Sequence, residues 1–122
     1  MLKFLAKVGL QLKRATFYSL DGLKVAFKEE FAFRLEVYAS FIALPAAFWI
    51  GSSALERIAL ISSFLSVPII ELLNSAVETA LNRIDLSWHE LTKKAKDIGS
   101  AAVLLAILNA IIVWLIIIFP HN

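Results

Sequence analysis

Ile98-Gly-Ser-Ala-Ala-Val-Leu-Leu-Ala-Ile-Leu-Asn-Ala-Ile-Ile-Val-Trp-Leu-Ile-Ile-Ile-Phe119 runs for 22 residues without a charged side chain. About 20 helical residues cross the hydrocarbon core of a bilayer, so this stretch reads as a membrane span. Two further stretches join it. Residues 37–50 are uncharged and extend back past Arg34 and Glu36 at their polar end. Residues 58–70 carry no charge, meet Glu71, and the run continues through Ala80. Pro45 and Pro68 would be awkward in soluble helices, but membrane helices accommodate proline more readily.

Composition agrees with a membrane chain. The 122 residues are 60% apolar, above the 45–50% usual for soluble domains, and the mean hydropathy is +0.79. A single domain of this size cannot hide that excess from water. The absence of cysteine excludes disulfides and thiolate chemistry. The basic first 30 residues hold no apolar core ending in a small-residue cleavage site, so they do not read as a secretory signal peptide.

Ser53-Ala-Leu-Glu56 and Ser87-Trp-His-Glu90 both fit the capping box, in which Ser and Glu satisfy free N–H groups reciprocally. The expected organisation is one membrane domain over 1–122. An amphipathic surface segment covers about 1–33, and spans occupy 34–51, 54–84 and 88–119. The fold class is thus all-α, with three transmembrane helices behind a surface helix. At about 1.5 Å per residue, the second span exceeds the roughly 30 Å hydrocarbon core, and its C-terminal third must emerge.

Basic residues set the orientation. Lys3, Lys7, Lys13, Arg14, Lys24, Lys28 and Arg34 precede the first span, and Arg83, Lys93, Lys94 and Lys96 lie between the second and third. Only Arg57 lies in the first turn, and none follows the last span. The positive-inside rule places the N-terminus in the cytoplasm and the C-terminus outside, as in a multi-pass protein of a bacterial inner membrane. His121 belongs to the tail. At about 100° per residue, Lys3, Lys7 and Arg14 share one side of the leading helix, opposite Leu5, Val8 and Leu12, which suits the anionic headgroup layer. Asp21-Gly22 is expected to break this helix.

The chemistry concentrates in Glu71-Leu-Leu-Asn-Ser-Ala-Val-Glu-Thr-Ala-Leu-Asn82. Glu71, Asn74, Ser75, Glu78 and Asn82 are offset by 0, 3, 4, 7 and 11, which places them on one helical stripe about 100° wide. A charge at the centre of a span costs on the order of 3 kcal/mol. Amides alone would glue helices together more cheaply. With the hydrocarbon beginning near Ile58, Glu71 lies roughly 9 Å inside the cytoplasmic boundary, and Glu78 lies at it. Glu30, Lys93, Lys94, Lys96 and Asp97 reach the same level. A carboxylate within reach of lipid, carboxylates fit for Mg²⁺ and cations for phosphates are the requirements of phosphoryl transfer from ATP to a lipid hydroxyl. The glycines at 9, 22, 51 and 99 form no phosphate-binding loop of the soluble kinases. Two histidines without cysteine form no structural zinc site.

The E-x-x-N-[ST]-A-x-E core at Glu71–Glu78, with His89-Glu-Leu and Ala95-Lys-Asp, resembles the prokaryotic diacylglycerol kinases, small three-span enzymes unrelated to soluble kinases. The resemblance runs from about Arg14 to the end of the third span. It implies that Glu71 is the catalytic carboxylate, with Asn74 orienting the site. It also implies that Glu30 and Glu78 hold Mg²⁺ with the nucleotide, and that Tyr18, His89, Lys96 and Asp97 lie near ATP. Arg34, Glu36, Trp49 and Ser100 would line the diacylglycerol site, and the enzyme would be a homotrimer with shared sites and no nucleic-acid partner. The chain departs from the family pattern at Gln11 and Leu35. Undecaprenol is the alternative substrate within the family. From a different class, a proton-coupled transporter would use Glu71 but leave Glu30, Glu78 and the lysines idle, and a scaffold would tolerate Glu71→Gln. Duller roles exist for individual residues: belt anchors for Trp88 and Trp114, close helix packing for Ser100 beside Gly99, and an interfacial polar group for His89.

Overall fold

The computed structural model describes residues 1–119; His121 lies outside them. Its four helices are α1 (Leu2–Glu29), α2 (Phe31–Ile50), α3 (Ala54–Ile84) and α4 (Glu90–Ile118). The last three are long and apolar enough to cross a bilayer. The protein is therefore an all-α, multi-pass membrane protein with an amphipathic leading helix.

Asp21-Gly22 does not break α1, which continues to Glu29. Neither residue costs more than about 1 kcal/mol in a helix, too little to end one in a run of good helix formers. The chain turns instead at Glu30, whose backbone is extended at φ −102° and ψ 108°. Arg34, one turn into α2, explains the position. Its Nη1 donates to the Phe27 carbonyl at 2.8 Å and to the Lys28 carbonyl at 2.9 Å. Those carbonyls belong to the last turn of α1, where helices leave acceptors free and the macrodipole favours a cation. An edge-to-face contact between Phe27 and Tyr38, with ring centroids 5.8 Å apart, braces the same corner.

The α2–α3 turn is capped from both sides. Ser53 Oγ accepts from the Glu56 backbone N–H at 3.1 Å, while the Glu56 carboxylate accepts from the Ser52 N–H and hydroxyl, both at 2.7 Å. The reciprocal arm therefore reaches one residue earlier than a strict capping box requires. Arg57 Nε donates to the carbonyls of Phe48 (3.1 Å) and Gly51 (3.0 Å) at the end of α2. The arginine packs so closely that a Cβ on Gly51 would come 2.6 Å from Arg57 Cγ. Arg57→Ala should cost about 1 kcal/mol of stability, the usual worth of such bonds at a surface, read as a lowered melting temperature in detergent with the helical content retained.

At the other end, α4 begins at Glu90 rather than near 88. Asp85 takes Ser87 for itself, accepting from its N–H at 2.9 Å and its hydroxyl at 2.7 Å. His89 then caps α4 through Nδ1, which accepts from the Leu91 N–H at 3.1 Å. The two bonds from Ser87, the backbone one foremost, hold the Asp85 carboxyl below its ordinary value of 3.8. A depressed carboxyl contributes stability above that value and loses it as pH falls through the folded-state value. The protection of the Ser87 amide against exchange, taken relative to an unstructured chain at the same pH, should thus be unchanged between pH 7 and 5 and should fall only in acid below 3.8.

Helices α3 and α4 form an antiparallel hairpin. Trp114 Nε1 donates to the Leu60 carbonyl at 3.1 Å toward the α2–α3 turn, and Lys96 Nζ donates to Asn82 Oδ1 at 3.1 Å near the α3–α4 turn. Phe33, Ala47, Leu60 and Val67 are buried between the spans, and α4 buries no residue at all. So thin a core leaves the apolar helix faces for lipid or for other protein chains.

Candidate active site

The carboxylates converge where α1, α2 and α3 meet. Helix α3 carries Glu71 and Glu78 two turns apart, and the bend at Glu30 brings a third carboxylate to that level. Glu71 is half-buried and within electrostatic reach of both Glu30 and Glu78. Glu36, on the second turn of α2, is within reach of Glu71. Four acids in one neighbourhood repel one another, an arrangement that needs a cation or a shared proton to relieve it. Among the described residues, no three metal-binding side chains lie close enough in one chain to hold an ion.

Asn74 sits among these acids. Its Nδ2 faces Glu78 Oε1 at 3.5 Å. An ionised carboxylate can only accept, which assigns the amide nitrogen to Glu78. The amide oxygen then points at α4, where it is buried without a donor. Glu36 Oε2 is buried and unpaired as well. Glu36 stands at the end of an apolar groove of about 380 Å³ between α2, α3 and α4, lined by Phe64, Val67, Ile107 and Trp114. A carboxylate terminating a greasy channel can meet the polar end of a lipid whose chain lies in the channel.

The residues expected near ATP fall in two places. Glu30 lines a cavity of about 620 Å³ between α1 and α3, with Ser19, Ser75 and Thr79. His89, Lys96 and Asp97 line another, of about 410 Å³, at the α3–α4 turn. Tyr18 is exposed on α1, next to Ser19. Lys96 is tied to Asn82 and Asp97 to Lys93, the latter at 2.6 Å. Asn82, the end of the α3 stripe, and Lys93, one of the cations expected at this level, line the same cavity as His89.

The residues expected at the lipid are more dispersed. Glu36 lines the groove, whereas Arg34 is engaged by the α1 carbonyls and lies over the Phe31 ring at 5.9 Å. Ser100 is exposed on α4 beside Gly99. Trp49 is 90% exposed at the opposite end of α2, about 22 Å along the axis from Arg34. The structure does not bring it to the carboxylates.

Comparison with known proteins identifies the family. Residues 17–118 match the family described as prokaryotic diacylglycerol kinase. The chain is similar to the diacylglycerol kinase of Escherichia coli strain K12, 46% identical over 108 residues and 88% of each chain. It is 50% identical to that of Haemophilus influenzae over 103 residues, covering 84% of this chain and 87% of the relative. The diacylglycerol kinase of Pseudomonas aeruginosa is 41% identical over 112 residues, 91% of each chain.

Proposed function

We propose a mechanism from one premise: this chain belongs to the prokaryotic diacylglycerol kinase family. It is an enzyme, an ATP-dependent kinase that converts diacylglycerol to phosphatidic acid within a membrane. The observation carrying the mechanism is the half-buried Glu71, set on a spanning helix with Glu30 and Glu78 in electrostatic reach.

Glu71 accepts the proton of the primary hydroxyl as that oxygen attacks the γ-phosphorus. A new O–P bond forms, the bond from phosphorus to the β,γ-bridging oxygen breaks, and ADP leaves. Phosphate passes directly to lipid with no phosphoenzyme. A membrane carboxylate suits this role because the diacylglycerol hydroxyl lies at the headgroup boundary, roughly one to two helical turns from Glu71. Asn74 restrains Glu78 through its amide. Lys96, His89 and Asp97 line the polar cavity at the cytoplasmic helix turn, where triphosphate and nucleoside would be held, and Tyr18, exposed on the surface helix, would reach the nucleotide from there. Glu36 ends the apolar groove and would meet the glycerol portion of the lipid. Arg34 would act there by fixing the α1–α2 corner, and Ser100 and Trp49 would contact lipid farther from the chemistry.

Glu30 and Glu78 fit Mg²⁺, which takes one or two carboxylates and fills its remaining positions with nucleotide oxygens and water. Bound there, the ion would neutralise charge on the phosphates. The unburied apolar faces of α4 support completion of each site in a homotrimer. The excess of Lys and Arg on α1 and the 83–97 segment supports a cytoplasmic N-terminus and an external C-terminus in a bacterial inner membrane.

Purified protein in mixed micelles, given ATP and either diacylglycerol or undecaprenol, tests the substrate. Phosphatidic acid should form with Mg²⁺ and stop when EDTA removes it. Phosphorylation of undecaprenol in preference to diacylglycerol would overturn the assignment.

A further inference from the structure

Gly99 faces the oxygen of Asn74 across the α3–α4 interface. A Cβ at Gly99 would lie 3.2 Å from Asn74 Cγ and 4.0 Å from its Cβ, and it would overlap Asn74 Oδ1. Nothing else crowds this glycine, and its φ is not positive. The backbone therefore does not require glycine there, whereas the amide does. The helices cannot part readily to admit a methyl group. Trp114 bonds the Leu60 carbonyl on one side of this point and Lys96 bonds Asn82 on the other. The movable element is the amide itself, a terminal group rotating about two single bonds.

We propose that Gly99 is a positioning residue for the phosphoryl transfer: its bare Cα forms the slot that holds the Asn74 amide with its nitrogen turned to Glu78. This rests on the reading of Asn74 and Glu78 as site residues. With a methyl group at 99, the amide must swing out, Oδ1 leaves the interface and the contact to Glu78 is lost. Glu78 then loses its restraint, two turns from Glu71. Alanine is also the better helix former, which offsets the crowding, so stability and activity should respond differently. A glycine that serves only close packing would instead lose both together when enlarged.

The test compares wild type, Gly99→Ala, Asn74→Ala and the double variant as purified full-length protein in mixed micelles. Gly99→Ala should lower kcat by roughly 100-fold, the scale of a displaced catalytic group, and raise the free Mg²⁺ needed for half-maximal activity, with KM for diacylglycerol within about twofold of wild type. Its melting temperature should not fall. In the double variant the loss should be no larger than in Asn74→Ala, because the slot has nothing left to hold. In metal-free protein, the side-chain amide resonances of Asn74 should shift in Gly99→Ala.

Losses that multiply in the double variant would overturn the proposal, as would a fully active Gly99→Ala. Failure of Gly99→Ala to fold with and without Asn74 would overturn it too. If Asn74→Ala is fully active, the reading of Asn74 as a site group fails and takes this inference with it. If Asn74→Ala is inactive while Gly99→Ala is not, the inference alone fails.

Discussion

Glu71→Gln should reduce phosphatidic acid formation by about 10²- to 10⁴-fold, the range a positioned general base contributes. Glutamine keeps the shape and both hydrogen-bonding ends of the side chain but cannot accept the proton of the attacking hydroxyl. The loss should fall on kcat, leaving the apparent KM for ATP near the wild-type value. Oligomeric state and helical content should be unchanged, because neutral glutamine costs less than glutamate within a span. Glu71→Asp should be intermediate, its carboxylate drawn back by one methylene. Full activity in Glu71→Gln would remove Glu71 from the chemistry and leave Glu36, whose Oε2 is buried and unpaired nearby, as the acid to examine next.

The second large effect concerns Glu78 and Glu30. Each should act as a Mg²⁺ ligand, so Glu78→Gln and Glu30→Gln should raise the free Mg²⁺ needed for half-maximal activity by at least about tenfold. High Mg²⁺ should restore part of the rate in both, which it cannot do for Glu71→Gln. Calorimetric titration of the inactive Glu71→Gln protein with Mg²⁺ and a non-hydrolysable ATP analogue should show the same weakening when either second substitution is added. Unchanged Mg²⁺ demand would mean that these carboxylates serve only to set charge around Glu71.

Much of this was legible in the chain itself because its signals are local and periodic. The offsets from Glu71 to Asn82 specify one stripe on any helix, and a 22-residue uncharged run admits one structure in a bilayer. What the sequence concealed depended on groups reaching across helix boundaries. The α1–α2 bend lies at Glu30 rather than Asp21-Gly22 because Arg34 reaches back seven residues to the Phe27 carbonyl, a cap no propensity scale contains. The start of α4 moved because Asp85 and Glu90 both suit Ser87, and the nearer acid holds it. Gly99 carried no mark of its role, since its meaning depends on the register that sets it against Asn74. Trp49 illustrates the opposite case: fifteen residues along one helix from Arg34, its distance from the carboxylates could be read from the helical rise alone.

Direct transfer from ATP to the lipid hydroxyl, with Glu71 as base, is tested most directly by the configuration at phosphorus. Purified protein would be given diacylglycerol, Mg²⁺ and ATP made chiral at the γ-phosphorus with oxygen isotopes. A single in-line displacement predicts phosphatidic acid of inverted configuration, with no phosphate retained on the protein. Retained configuration, or phosphate trapped on a carboxylate of the chain, would contradict it, because Glu71 would then be a nucleophile rather than a base.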